Sequence, residues 1–158
     1  METITKYEVK EITWTEKTFI TKRAKISLDK LSAFFDENYG AIYKAINKSG
    51  AKTNEPPCAI YYSVDEVKNE MDLAAAIPVT GLEKEIEGFE KITIPKSKAL
   101  IITYYGSYEN MKAAYSELDK YVSDHKLKKE WMIEEYLTDP STEKDPAKWK
   151  TNIYFVVK

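Results

Sequence analysis

The chain has 158 residues, 43% of them hydrophobic, which is enough for one well-filled core and too few for two comfortable domains. Its charged residues, 32% of the total, mix both signs to a net charge of -2, so the sequence carries no electrostatic footprint for nucleic acid or an anionic membrane surface. One cysteine, Cys58, and one histidine, His125, supply neither an internal disulfide nor a zinc-type ligand set, and no metal or cofactor is expected.

The N-terminal "METITKYEVKEITW" has no basic patch leading into an apolar run, and no stretch approaches the length of a membrane span. A cytoplasmic location is the expectation. "YEVKEITW" and "KTFITKRAKI" read as two strands. Ser27 then opens a helix in which Leu31, Phe34, Phe35, Ile42 and Ile46 share a face, Gly40 weakens the middle and Gly50 stops the end. "CAIYYSV" and "LAAAIPV" are two further strands, and "LEKEIEGFEK" is a solvated connection. The same pattern begins again with "FEKITIP" and "ALIITYY". After Gly106, Ser107 opens a second helix carrying Met111, Tyr115, Leu118 and Val122, and "MIEEYL" and "NIYFVV" close the chain. His125 complements the dipole at that helix's end.

Strand, strand, helix, strand, strand thus occurs twice, which marks an internal duplication. The expectation is one α+β domain over 1–158 with repeats at roughly 1–80 and 87–158. Each is a βαββ-type, SHS2-like unit with antiparallel strands, the two main helices lie on one side, and a pseudo-twofold ligand cleft lies between the halves. Setting Asp65 of "CAIYYSVDE" against Asp139 of "MIEEYLTDP" matches Tyr62 with Tyr136 and puts Ile60 opposite Glu134. The carboxylate is then present in one half only, an asymmetry that suits a ligand better than it suits packing.

Glu134 shares a strand face with Met132 and Tyr136. It is either a solvated strand residue, which is the reading preferred on the residues alone, or the polar anchor of a pocket. Tyr62, Tyr104, Trp131, Tyr136 and Tyr154 are candidate walls, although alternation sends about half of such a set to the other face. Trp149, in "DPAKWK", stands at the mouth of the last hairpin, where its ring either covers a ligand or packs on the hairpin base, two readings of equal weight. Glu135 points opposite Glu134 and is read as a helix-side or edge contact. Tyr43 and Cys58 belong to the core, and no Ser-His-Asp arrangement can be built around His125.

The element order, "IPV" closing the first half, "YYGSYENMKAAYSELDKYV" and "EEYLTDPSTEKDPAKWKTNIYFVV" resemble the GyrI-like small-molecule-binding domain. That fold also forms the effector-binding half of AraC-type and MerR-type regulators. The resemblance implies a curved sheet system with helices behind it and an aromatic cleft in front. It also implies that Glu134, in the family's E-x-Y strand, binds cationic, lipophilic compounds in the manner of bacterial multidrug-binding domains. Two departures stand out: Val156 occupies a place where the family often has proline, and no helix-turn-helix precedes the first strand. The expected function is capture of a small lipophilic, cationic or aromatic molecule by a monomer or weak homodimer. The alternatives are a hydrolase of cyclopropane-bearing toxins and a protein-interaction module such as a gyrase inhibitor. In the hydrolase Glu134 would activate water, a tyrosine hydroxyl would polarise the leaving group and Trp149 would position the substrate.

Overall fold

A computed structural model describes residues 7–158, so the start of the first expected repeat lies outside the described residues. The fold is α+β. Its strands are β1 (Lys10–Trp14), β2 (Lys17–Ser27), β3 (Cys58–Asp65), β4 (Glu70–Val79), β5 (Glu90–Ile94), β6 (Ser97–Tyr105), β7 (Lys129–Tyr136) and β8 (Lys150–Val157). Helix α1 (Leu31–Ser49) follows β2, and α2 (Lys112–Asp124) follows β6. The order strand, strand, helix, strand, strand thus occurs twice. Helix α1 runs unbroken through Gly40 and ends at Gly50, whose φ of 84° is the left-handed conformation that glycine adopts at least cost. Neither Ser27 nor Ser107 caps with its side chain, contrary to the expectation. Both are extended, Ser27 as the last residue of β2 and Ser107 two residues beyond β6, and a single 3-10 turn, Leu28–Lys30 or Tyr108–Asn110, leads from each towards the helix.

The chain folds into two compact units that are not its sequential halves. The terminal unit contains the residues up to Trp14 and Ser97–Lys158, and the central unit is Thr15–Lys96. In the terminal unit the strand order is β1-β6-β8-β7, and in the central unit it is β5-β2-β4-β3, with antiparallel pairing throughout. The first strand of each repeat has thus exchanged units. The two-residue links Thr15–Glu16 and Pro95–Lys96 do not fold β1 onto β2 or β5 onto β6 as hairpins.

Alternation along the strands divides the side chains of each unit between two faces. In the terminal unit Leu100, Ile102, Ile153, Phe155 and Val157 turn towards Ala114 and Leu118 of α2, all nearly inaccessible. In the central unit Ile20, Ala75, Ile77 and Val79 turn towards Ile42 and Ile46 of α1. Each fully buried side chain of the size of leucine, isoleucine or phenylalanine contributes about 1.5–3 kcal/mol of transfer free energy. These two clusters hold each helix to its own strands and fix which strand residues face it.

Candidate functional site

Strand β7 pairs with β8 so that Glu134 stands opposite Ile153, whose side chain belongs to the cluster under α2. Glu134 therefore points at the helix. It is only 6% exposed, and an isolated carboxylate at that depth would be strongly disfavoured. Two phenols stabilise it. Tyr115 reaches from α2 and donates its hydroxyl to Oε2, in a short hydrogen bond. Tyr136, two residues along β7 on the same face, donates to Oε1 at 2.8 Å. Hydrogen bonds to a charged acceptor contribute about 1.5–3 kcal/mol each, and here both donors are neutral.

The ring of Tyr115 packs against Phe155 with centroids 5.9 Å apart, which fixes its direction. Above Tyr136 lies Tyr108, at 5.5 Å and tilted by 60°, and Tyr108 in turn stacks on Trp149 at 5.2 Å and 30°. Tyr108 is 39% exposed, so this aromatic pair forms the solvent side of the site. Burial raises the Tyr108 phenol above the ordinary tyrosine range, and the negative charges of Glu134 and Asp139 raise it further.

Local sequence builds this wall. Asp139 accepts from the backbone N–H and the hydroxyl of Ser141, and the Asp145 carboxylate accepts from Ala147 N–H at the turn Pro146–Lys148. The chain that follows presents Trp149, whose Nε1–H donates to the Glu143 carbonyl at 2.8 Å. Gly106 N–H donates to the Trp149 carbonyl at 2.9 Å. Gly106 has a φ of 139°, and a Cβ there would lie 2.8 Å from the Tyr104 hydroxyl. Only glycine fits this turn without strain.

Of the residues singled out in the sequence, Glu134, Tyr136 and Trp149 come together. Tyr104 does not line the site: it is 2% exposed in the α2 cluster, and its hydroxyl donates to the Ser107 carbonyl at 2.7 Å, bracing the Gly106 turn. Tyr154 and Trp131 lie on the opposite face of the strands, because their pairing partners Ile133 and Val156 alternate with the helix-facing positions. Tyr154 donates to Glu135, not to Glu134. The expected orientation of the two glutamates is therefore reversed, with Glu134 on the helix side and Glu135 away from it. Tyr62 belongs to the central unit, where its ring lies 3.7 Å from the Arg23 guanidinium carbon.

The repeat alignment also shifts by one. The register changes between Tyr61 and Ser63, so Tyr62 is an inserted bulge residue. Counting by pairing instead, Glu134 opposite Ile153 corresponds to Ala59 opposite Ala75, and Tyr136 corresponds to Tyr61. The sequence reading missed Tyr108 altogether and treated Tyr115 as core. The available signal was a tyrosine on the apolar stripe of a short helix, since a buried phenol needs a hydrogen-bond partner.

Residues 7–158 match the family described as the GyrI-like small molecule binding domain. The chain belongs to that family. Three solved structures share the GyrI-like fold at low identity. The C-terminal domain of EcmrR is 20% identical with a TM-score of 0.81, over 96% of this chain and 98% of that one. A hydrolase from Listeria innocua is 13% identical with a TM-score of 0.69, over 96% and 92%. SAV2435, solved bound to tetraphenylphosphonium, is 15% identical with a TM-score of 0.65, over 98% and 94%. The chain spans 57% of EcmrR as it occurs in a complex with DNA. No curated protein matches the chain by sequence. Among the described residues no helix of this GyrI-like chain is long and apolar enough to cross a membrane, and no group of three or more potential metal ligands is found. A depression of about 430 Å³ in the central unit, lined by Lys17, Glu55, Thr80 and Lys91 among others, includes none of the candidate residues.

Proposed function

We propose that this GyrI-like domain binds lipophilic organic cations at Glu134, against the aromatic wall of Tyr108, Tyr136 and Trp149. The observation that carries the reading is a carboxylate 6% exposed, held by two neutral phenols. Those donors stabilise its charge without cancelling it. A cation entering the site gains that charge and the faces of electron-rich rings, each worth about 2 kcal/mol when desolvated. The aromatic and apolar surroundings suit a cation whose charge is spread over an apolar body.

Tetraphenylphosphonium, the ligand of SAV2435, is the probe of choice. Isothermal titration of the wild-type chain should give saturable binding, and Glu134→Gln should weaken it by about ten- to a hundred-fold with the fold retained by circular dichroism. Equal binding by both proteins would remove Glu134 from the site. Hydrolysis at the same carboxylate would require Glu134 to accept a proton from water while it holds two phenol donors. Many-turnover ring opening of a cyclopropane electrophile, lost in Glu134→Gln, would replace binding with catalysis as the reading.

A further inference from the structure

The central unit leaves apolar side chains uncovered at one end of its helix side. Helix α1 buries only Ile42 and Ile46, both in its second half. Leu31, Phe34 and Phe35, in its first turns, are half-buried. Strand register sets Ile26, Met71 and Val64 side by side across β2, β4 and β3. An even number of residues separates Ile26 from Ile20 and Met71 from Ala75, so this row lies on the helix side. It stands at the end of the sheet where α1 begins, away from the strand positions that Ile42 and Ile46 cover.

Exposure there is large and the backbone beneath it is held. Leu28 is 54% exposed, Val64 52% and Val67 97%. The Leu28 N–H donates to the Asn69 carbonyl at 3.3 Å, which joins the turn before α1 to the β3–β4 hairpin. The Asp65 carboxylate accepts from the N–H groups of Val67 and Lys68, each at 3.1 Å, so the hairpin tip keeps its shape while presenting Val67 to solvent. Single exposed apolar residues are ordinary, but a group of them tied together by the backbone marks an interaction surface. The charge around it is one-sided. Within 28–37 and 64–71, Asp29, Asp36, Glu37, Asp65, Glu66 and Glu70 are all exposed, against Lys30 and Lys68. The whole chain has a net charge of only -2, so its negative charge is concentrated here and the remainder is net positive.

We infer that the surface formed by Leu28, Val64 and Val67 docks a partner protein through a basic amphipathic helix. Complementarity decides the occupant. Apolar side chains repeating along one face of the partner helix cover the exposed leucine and valines, and lysines or arginines flanking that face meet the carboxylates. A second copy of this chain fits poorly, because a twofold contact would bring the same acidic rim against itself. The same charge repels nucleic acid and anionic lipid. The surface shares no residue with the Glu134 site, so the inference does not rest on that reading.

The test titrates the full chain into a fluorescein-labelled helical peptide of leucine and lysine, about 18 residues long, with its leucines on one face. Fluorescence anisotropy should show saturable binding, weaker at high salt. A matched peptide with glutamate in place of lysine should bind far less. Val64→Thr combined with Val67→Ser, at two exposed positions, should weaken binding by about ten-fold with the circular dichroism unchanged. Asp36→Asn combined with Glu37→Gln should weaken it by a smaller factor and flatten the salt dependence. Amide shifts on the wild-type chain should centre on 28–37 and 64–71, a readout that needs no variant. The inference is overturned by no binding up to about 1 mM, by equal affinity for the glutamate peptide, by unchanged affinity in the hairpin variant, or by shifts centred elsewhere. A dimer in sedimentation that the hairpin variant abolishes would overturn it too, by assigning the surface to a second copy.

Discussion

The terminal and central units repeat one strand order, β1-β6-β8-β7 and β5-β2-β4-β3, so corresponding positions can be compared by pairing alone. Ile102 pairs with Ile153 and thereby leads to Glu134; in the central unit Lys22 pairs with Ala75 and leads to Ala59. Counting from Ser107 and Ser27, each followed by a 3-10 turn, Tyr108 corresponds to Leu28 and Tyr115 to Phe35. The carboxylate and its Tyr115 donor in one unit are thus an alanine and a phenylalanine in the other. Ala59 is fully buried, and Phe35 stacks on Tyr39 at 5.1 Å. The comparison teaches that the frame itself does not require a polar site. An apolar filling satisfies the same strands and helix, and the terminal unit has substituted a polar cluster that stabilises itself internally.

Moving the carboxylate across is the largest test of that view. Ala59→Glu would bury a charge under α1 where Phe35 offers no donor, and an uncompensated buried charge costs about 3–5 kcal/mol. Urea denaturation should show a loss of that size, and adding Phe35→Tyr should return about 1 kcal/mol or more by supplying the phenol. A loss below about 1 kcal/mol would mean that the two positions are not equivalent in environment, and the comparison would fail.

Removing one donor from the natural site is a smaller perturbation. Tyr115→Phe leaves Glu134 Oε2 without its phenol and should cost about 1–3 kcal/mol at neutral pH. The same substitution in a Glu134→Gln background should cost less, since the lost bond is then to a neutral amide. A double-mutant cycle reads the difference directly, and a coupling of zero would show that the Tyr115 phenol does not stabilise the charge.

Next comes the turn that carries Tyr108. The central-unit counterpart of Gly106 is Ile26, which lies within strand β2, so the left-handed turn is a feature of the terminal unit alone. Gly106→Ala should cost about 1–3 kcal/mol from backbone strain and the collision with Tyr104. It should also weaken tetraphenylphosphonium binding, because the turn positions Tyr108 against Trp149. Gly50→Ala, with a φ of 84° and open space around its Cβ, should cost only about 1 kcal/mol and leave binding alone. Equal effects on binding would detach the turn from the site.

The sequence made the element order legible because periodicity and turn residues are local. It also singled out Glu134, because a carboxylate between Met132 and Tyr136 on a strand face breaks the expected pattern. The exchange of β1 and β5 between units was not legible, since a two-residue link is equally consistent with a hairpin and with a crossing strand. The bulge at Tyr62 was hidden for a related reason. Nothing in "CAIYYSVD" marks the extra residue, and counting back from Asp65 carried the error to Ile60. Which glutamate faces the helix depends on long-range register between β7 and β8. Alternation alone showed that Glu134 and Glu135 must differ, and it could not say in which direction.

The smallest expected effect contrasts the faces of the two units that point away from the helices. There the terminal unit places Glu135 among neutral donors, whereas the central unit places Asp72 in a two-pronged ion pair with Arg23, both contacts at 2.9 Å. The Arg23 hydrogen bond and charge hold the Asp72 carboxyl below its ordinary value. A depressed carboxyl stabilises the fold at pH values above the ordinary aspartate range of about 3.9, and that increment is lost as pH falls through the lower, folded-state value. Since the Arg23 side chain is 46% exposed, solvent screens the pair and the increment is small. Asp72→Asn should accordingly be slightly less stable than wild type near pH 6, and the difference should shrink steadily as the solution is acidified towards about pH 2. Added salt should shrink it as well, by screening the pair. A gap between the two proteins that widens on acidification would show that Asp72 is protonated more readily in the folded chain than in the unfolded one, and would break the contrast between an ion-paired face and a neutral, donor-held one.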